Sequence, residues 1–161
     1  MIFTKAIKYE NIVEKLEKES DVITIIGCET CARVSGVSND KNIVSLAKKL
    51  TKDGYNVEGG YLVPAACTPK VLFAKLDSKV NTIISFACGA GTSNIIRTFE
   101  DLKVIPVSED IGLMIEDSSK HILKVTVPYE NHEDEYGKEY VVFTGEKAEK
   151  DTNLSFGEAC K

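Results

Sequence analysis

The chain has 161 residues, 43% of them apolar and 28% charged, with a net charge of −5. That length suits one domain, or one domain with an appendage, around a single hydrophobic core. The acidic balance, without a basic stripe to neutralise phosphates, argues against a nucleic-acid partner, and no apolar run approaches the roughly 20 residues that span a bilayer.

The first segment, MIFTKAIKYENIVEKLEKES, is too charged to hold a signal-peptide core, so no membrane insertion and a cytoplasmic location are expected. Residues 9–18 place Ile12, Val13 and Leu16 on one face and read as a helix. VITIIG (22–27) is a continuous β-branched run, the pattern of a strand buried on both faces. After a Gly/Ser loop at 35–39, residues 40–53 carry Ile43, Val44, Ala47 and Leu50 at helical spacing, and Gly54 supplies the stop. A run around Val57 leads through Gly59 and Gly60 to a strand ending near Cys67. Thr68-Pro69 then reads as the start of a helix reaching about residue 76. TIISFA (82–87) is a third buried strand, followed by a Cys88-Gly-Ala-Gly turn and a helix capped by Thr92 or Ser93. Residues 103–107 form a fourth strand, and 110–116 a short helical stretch. Residues 121–127 and 139–144 read as a hairpin around the acidic turn 130–137, with a polar tail from Gly145.

Alternating helices and near-continuous apolar strands predict an α/β fold, a three-layer sandwich. The expected form is a mainly parallel, Rossmann-like sheet with a C-terminal β-hairpin. Residues 1–120 would form the α/β cysteine-site domain, with 121–161 as an appendage of hairpin and tail.

Cysteine placement carries the functional argument. Cys28 follows VITIIG, Cys67 follows YLVPAA and Cys88 follows TIISFA, while Cys31 completes a C-x-x-C pair with Cys28. The carboxyl ends of parallel strands share one edge, where ligands bind. The four thiols are therefore expected to meet there as ligands of a metal or an iron–sulfur cluster. Disulfides are rare in the cytoplasm, which favours metal binding or redox chemistry. Cys67 and Cys88 each precede an expected helix start, whose exposed N–H groups suit a negative centre. Gly27, Gly89 and Gly91 are candidate cofactor-binding positions, small enough for backbone N–H groups to approach cluster sulfurs.

The spacing itself is a weak motif, with 35 residues between Cys31 and Cys67 and 20 between Cys67 and Cys88. It matches neither the paired ligands of a zinc ribbon nor the compact ferredoxin run. Three alternatives stand beside it: a structural zinc site, a dithiol made by Cys28 and Cys31, and plain core cysteines. Arg33 could face a negative centre or make a surface salt bridge. His121 and His132 read as structural or solvated, and Glu109-Asp110 as the acidic start of a helix. No Ser/His/Asp grouping, paired catalytic carboxylates or complete phosphate loop is present, so no catalytic residue is named and no activity is expected of the chain alone.

GCETCARV (27–34), the P-x-x-C of Pro64 and Cys67, and FACGAG (86–91) occur in order around the helix VSLAKKL (44–50). In these motifs the chain resembles the methylenetetrahydrofolate reductase C-terminal domain family. This is the small MetV-type subunit that accompanies the flavin-containing reductase in acetogenic and related anaerobic bacteria. The likeness spans residues 20–112. It implies a 4Fe–4S cluster, with zinc as the alternative, held by Cys28, Cys31, Cys67 and Cys88. It further implies an electron-transfer or accessory role in one-carbon metabolism, with a flavin-dependent reductase subunit as partner. From about residue 121 the chain departs from that family, and with only Cys160 in the tail a second cluster is not expected.

Overall fold

A computed structural model describes residues 1–72 and 75–148; Cys160 lies outside the described residues. In chain order the elements are strand Ile2–Ala6 (β1), helix Tyr9–Val13 (α1), strand Val22–Cys28 (β2), helix Cys31–Val34 (α2), helix Asp40–Lys52 (α3) and strand Asn56–Val63 (β3). Strand Thr82–Phe86 (β4), helix Gly89–Thr98 (α4) and strands Lys103–Pro106 (β5), Ser108–Asp117 (β6), Ile122–Pro128 (β7) and Glu139–Val141 (β8) follow.

The apolar runs at 22–27 and 82–87 form neighbouring central strands. One sheet is all parallel in the order β3-β2-β4-β5. Its two faces explain why those runs are continuous. Ile23 and Ile25 of β2 pack with Ile12 of α1 and Ile43 and Leu50 of α3, whereas Ile26 and Cys28 pack with Ile83 and Ile95 of α4 on the other side. Alternate side chains serve opposite cores, so both sets must be apolar. Helix α3 starts where expected because the Asn39 side chain accepts the Asn42 N–H at 2.8 Å. It ends at Gly54, whose φ is +89°.

The expected architecture of one mainly parallel, Rossmann-like sheet in a three-layer sandwich, with a C-terminal hairpin added, is overturned. Half of the strands build a second, antiparallel sheet in the order β1-β6-β7-β8. It has its own core of Phe3, Ile111, Met114, Leu123, Val125, Tyr140 and Val142. The hairpin β7–β8 belongs to this sheet, not to the edge of the parallel one. Two local differences underlie the change. Residues 2–6, assigned no element from the sequence, pair with β6. Residues 110–116, expected as helix, lie within β6, because β1 and β7 offer hydrogen-bonding partners on both sides.

Other boundaries also move. Helix α1 stops at Val13 rather than running to residue 18. Strand β3 ends at Val63, four residues before Cys67. The Thr68-Pro69 signal produces a single 3-10 turn, Pro69–Val71, instead of a helix to residue 76.

The two halves are joined closely. The chain passes from β5 to β6 through Val107, which is buried in the core of the parallel half. The Ile7 N–H donates to the Val107 carbonyl at 2.9 Å, and the Phe143 N–H to the Val34 carbonyl at 2.8 Å. Val34 of α2 packs against the core of the antiparallel sheet.

Candidate cysteine site

Strand order in the parallel sheet reverses between β2 and β4. The chain leaves β2 toward β3 on one side, and leaves β4 toward β5 on the other. At such a point the loops diverge and open a crevice beyond the carboxyl ends. Gly27 and Phe86 are paired across β2 and β4, so the segments carrying Cys28–Cys31 and Cys88 emerge side by side.

Each cysteine has a distinct environment. Cys28 is the last residue of β2 and is buried. Its sulfur accepts the Ala66 N–H at 3.4 Å and lies 3.1 Å from Thr30 Oγ1. Cys31 opens α2 and is partly exposed; its sulfur accepts the Ile2 N–H of β1 at 3.5 Å. Cys88 is the N-cap of α4, in place of the expected Thr92 or Ser93, and is buried. The Thr92 hydroxyl instead lies 2.9 Å from Ser85 Oγ. Cys67 is exposed on the turn after β3.

The neighbouring Cys88 thiol, with the Ile2 N–H and the N-terminal ammonium, outweighs burial and holds Cys31 down to about 6. Cys88, beside Cys31 and buried, is pushed far up. Two of the four sulfurs receive a main-chain N–H, Cys28 from Ala66 and Cys31 from Ile2. Hydrogen bonds of this kind favour sulfur in its charged form.

The segments carrying Cys31 and Cys88 emerge side by side, Cys28 ends β2 with its side chain in the core, and Cys67 lies on the turn after β3. Among the described residues, no three His, Cys, Asp or Glu side chains are grouped as a metal-holding set. The donor chemistry of four thiols fits a zinc or iron–sulfur centre. The 66–67 turn packs on the first turn of α4. A Cβ built on Gly91 would lie 3.1 Å from Ala66 Cβ and 3.7 Å from Cys67 N.

The three candidate glycines are tight for reasons within the protein. A Cβ on Gly27 would come within 2.6 Å of Ile43 Cδ1 and 2.8 Å of Leu62 Cδ2. One on Gly89 would meet Asp110 Oδ2 at 2.6 Å, and one on Gly91 Ala87 Cβ at 2.8 Å. Gly91 holds the Cys67 turn against the Cys88 helix, and Gly27 lets α3 and β3 close over the end of β2.

Asp110 is the functional residue that sequence reasoning misplaced. It was expected at the start of its own helix. It comes instead from β6, and its two carboxylate oxygens accept the Gly89 N–H at 3.0 and 2.9 Å. Burial raises its pKa against the pull of that N–H. Tyr129 stands nearby, its hydroxyl pKa raised by burial and by the charges of Asp110, Cys88 and Cys31. Arg33 pairs with Asp40 at 3.6 Å, and His132 lies 3.2 Å from Glu109. A cleft of about 760 Å³ between α3 and β3, lined by Ile43, Val44, Ala47, Tyr61 and Leu62, contains none of the cysteines.

The fold and site define the class: an α/β protein with a cysteine rim at the strand-order reversal of its parallel sheet. Comparison with family models, curated proteins and solved structures finds no match to the chain. Among the described residues, no helix is long and apolar enough to cross a membrane.

Proposed function

We propose that the chain is a metal-binding accessory subunit. It would hold an iron–sulfur cluster, 4Fe–4S, through Cys28, Cys31, Cys67 and Cys88, and serve electron transfer with a flavin-dependent, methylenetetrahydrofolate reductase-like partner in one-carbon metabolism. The observation that carries this reading is that β2 and β4 end side by side, delivering Cys28, Cys31 and Cys88 to one edge of the sheet, with Cys67 on the turn after β3. The resemblance of GCETCARV and FACGAG to that subunit family names the partner.

When bound, an iron–sulfur cluster supplies one-electron transfer at a potential set by its charge, its hydrogen bonds and its exposure. The chain's own part is to hold the thiolates. The Ala66 and Ile2 N–H groups stabilise negative sulfur, and the sheet fixes the separation of the loops that carry it. A docking surface adjoins the rim. Ile2, Leu113 and Val127 stand in one row across β1, β6 and β7. Leu113, Ile115 and Val127 are 41%, 56% and 52% exposed, an apolar face open to a partner.

Anaerobic reconstitution with ferrous iron and sulfide tests the metal. A brown protein with about four iron and four sulfide per chain is expected, and serine at Cys28, Cys31, Cys67 or Cys88 should each abolish it. A colourless protein holding one zinc, or a cluster indifferent to Cys67→Ser, overturns the iron–sulfur reading. Co-purification with the candidate flavin reductase tests the partner, and the chain alone should not turn over methylene-tetrahydrofolate.

A further inference from the structure

We propose that the chain forms a twofold dimer through the outer edge of β3, joining two parallel sheets edge to edge and pairing the two α3 helices above the junction. The pairing stands independently of the metal reading. β3 is an edge strand of the parallel sheet, and among the described residues nothing pairs with its outer side. The opposite edge, β5, carries Lys103 and Pro106, residue types that blunt an edge against further pairing. β3 has neither, and its residues 58–62 are all exposed. Its one irregularity, at Glu58, leaves a regular run from Gly59 to Val63. Two glycines in that run have no explanation within the chain. Neither Gly59 nor Gly60 has a positive φ. A Cβ on Gly59 would meet nothing within 4 Å, and one on Gly60 would make ordinary contacts, the nearest at 3.5 Å. Glycine inside a strand weakens it and marks the close approach of a ligand or of another backbone.

Charge selects a second copy as the occupant. The cleft beside the two glycines is walled by α3, where Asp40, Val44, Ala47, Lys48 and Thr51 form one stripe. That stripe is acidic at its start, apolar in its middle and basic toward its end, where Lys52 also borders the cleft. Asp40 lies 3.6 Å from Arg33, yet its side chain stays 76% exposed. Antiparallel pairing of β3 with its copy sets the twofold axis normal to the sheet, so both α3 helices lie on the same face and run antiparallel. Asp40 of each copy then faces Lys48 and Lys52 of the other, with Val44 and Ala47 across the axis. Strand direction reverses at the junction, so the two cysteine rims lie at opposite ends of the joined sheet. Each keeps its own apolar face on β1, β6 and β7 free.

Sedimentation equilibrium of the full chain, under reductant so that no disulfide links two copies, tests the pairing, and amide exchange locates it. A concentration-dependent dimer is expected, with β3 amides exchanging more slowly in the dimer than in the monomer. Val44→Asp sets two carboxylates across the axis and should weaken association about tenfold or more. Val44 is already 48% exposed, so the circular dichroism spectrum should not change. Asp40→Lys alone, and Lys48→Asp with Lys52→Asp, should each weaken the dimer, and the three substitutions in one chain should restore it. A chain that stays monomeric at about 0.1 mM overturns the proposal. So does a dimer indifferent to these variants, a triple variant as weak as its parents, or protection confined to β6 and β7.

Discussion

Asp110 caps a helix to which it does not belong. The N-cap residue of α4, Cys88, makes no side-chain capping bond, and Asp110 from the other sheet takes the Gly89 N–H instead. Losing such a cap costs about 1 kcal/mol. Asp110→Ala should therefore lower the melting temperature modestly and speed amide exchange at the first turn of α4. Unchanged exchange there would remove the cap from the account. Glu135 supports a steeper prediction. Burial opposes its charge, but the hydrogen bond from Tyr140, together with Lys138 and Lys5, prevails and holds its carboxyl down at about 2 from an ordinary 4.5. The folded state thus binds this proton more weakly than the unfolded chain. The stabilisation is complete above about pH 4.5 and is lost as pH falls through about 2. With the side chain 10% exposed, that is on the order of 2–3 kcal/mol at neutral pH. Glu135→Gln should lower stability at pH 7 and flatten the acid limb between those values. An acid titration identical to wild type would show that the network contributes nothing.

At the scale of elements, legibility followed how far apart the deciding partners lie. Strands β2 and β4 were readable because two cores demand apolar residues at every position. Helix α3 was readable because its Asn39 cap and its Gly54 stop are local. Residues 110–116 were not. Ile111 and Met114, three apart, fit a helix face, yet Leu113 and Ile115 between them are exposed on the outer side of a sheet. Pairing with β7 on one side and with β1, more than a hundred residues away, on the other decides between the two periodicities. The Thr68-Pro69 signal marked a chain turn correctly and its length wrongly, since a cap starts a helix that packing must then sustain. The join between α2 and the end of β8 shows another constraint visible only in three dimensions. Gly36 has φ +80°, and a Cβ there would meet the Thr144 carbonyl carbon at 2.3 Å. Gly145 has φ +68°, and a Cβ there would meet the Ser35 oxygen at 2.3 Å. Gly36→Ala combines left-handed strain of about 1–2 kcal/mol with a backbone clash that cannot relax by rotating a side chain. A drop in melting temperature well beyond that of Gly54→Ala is expected. Gly54 also has positive φ, but a Cβ there would meet open space.

For the whole molecule, the side-by-side emergence of the segments carrying Cys28, Cys31 and Cys88 was legible because neighbouring parallel strands end along one edge. What was not legible is that β1 of the second sheet reaches this edge, its Ile2 N–H donating to the Cys31 sulfur at 3.5 Å. That coupling makes the rim sensitive to a distant core. Phe3 is fully buried in the antiparallel half, its ring 4.4 Å from that of Tyr140. Its strand carries the Ile2 N–H that holds the Cys31 sulfur. Phe3→Ala should cost about 3–5 kcal/mol. It should also loosen β1 and raise the rate at which Cys31 is alkylated, measured well below the melting temperature. Leu50, equally buried, sits at the end of α3 in the core of the parallel half. Leu50→Ala should cost a comparable amount, about 2–5 kcal/mol, while leaving Cys31 labelling near the wild-type rate. If both variants accelerate labelling equally, the rim responds to global stability alone. If only Phe3→Ala does, the antiparallel sheet is the element that holds Cys31 in place.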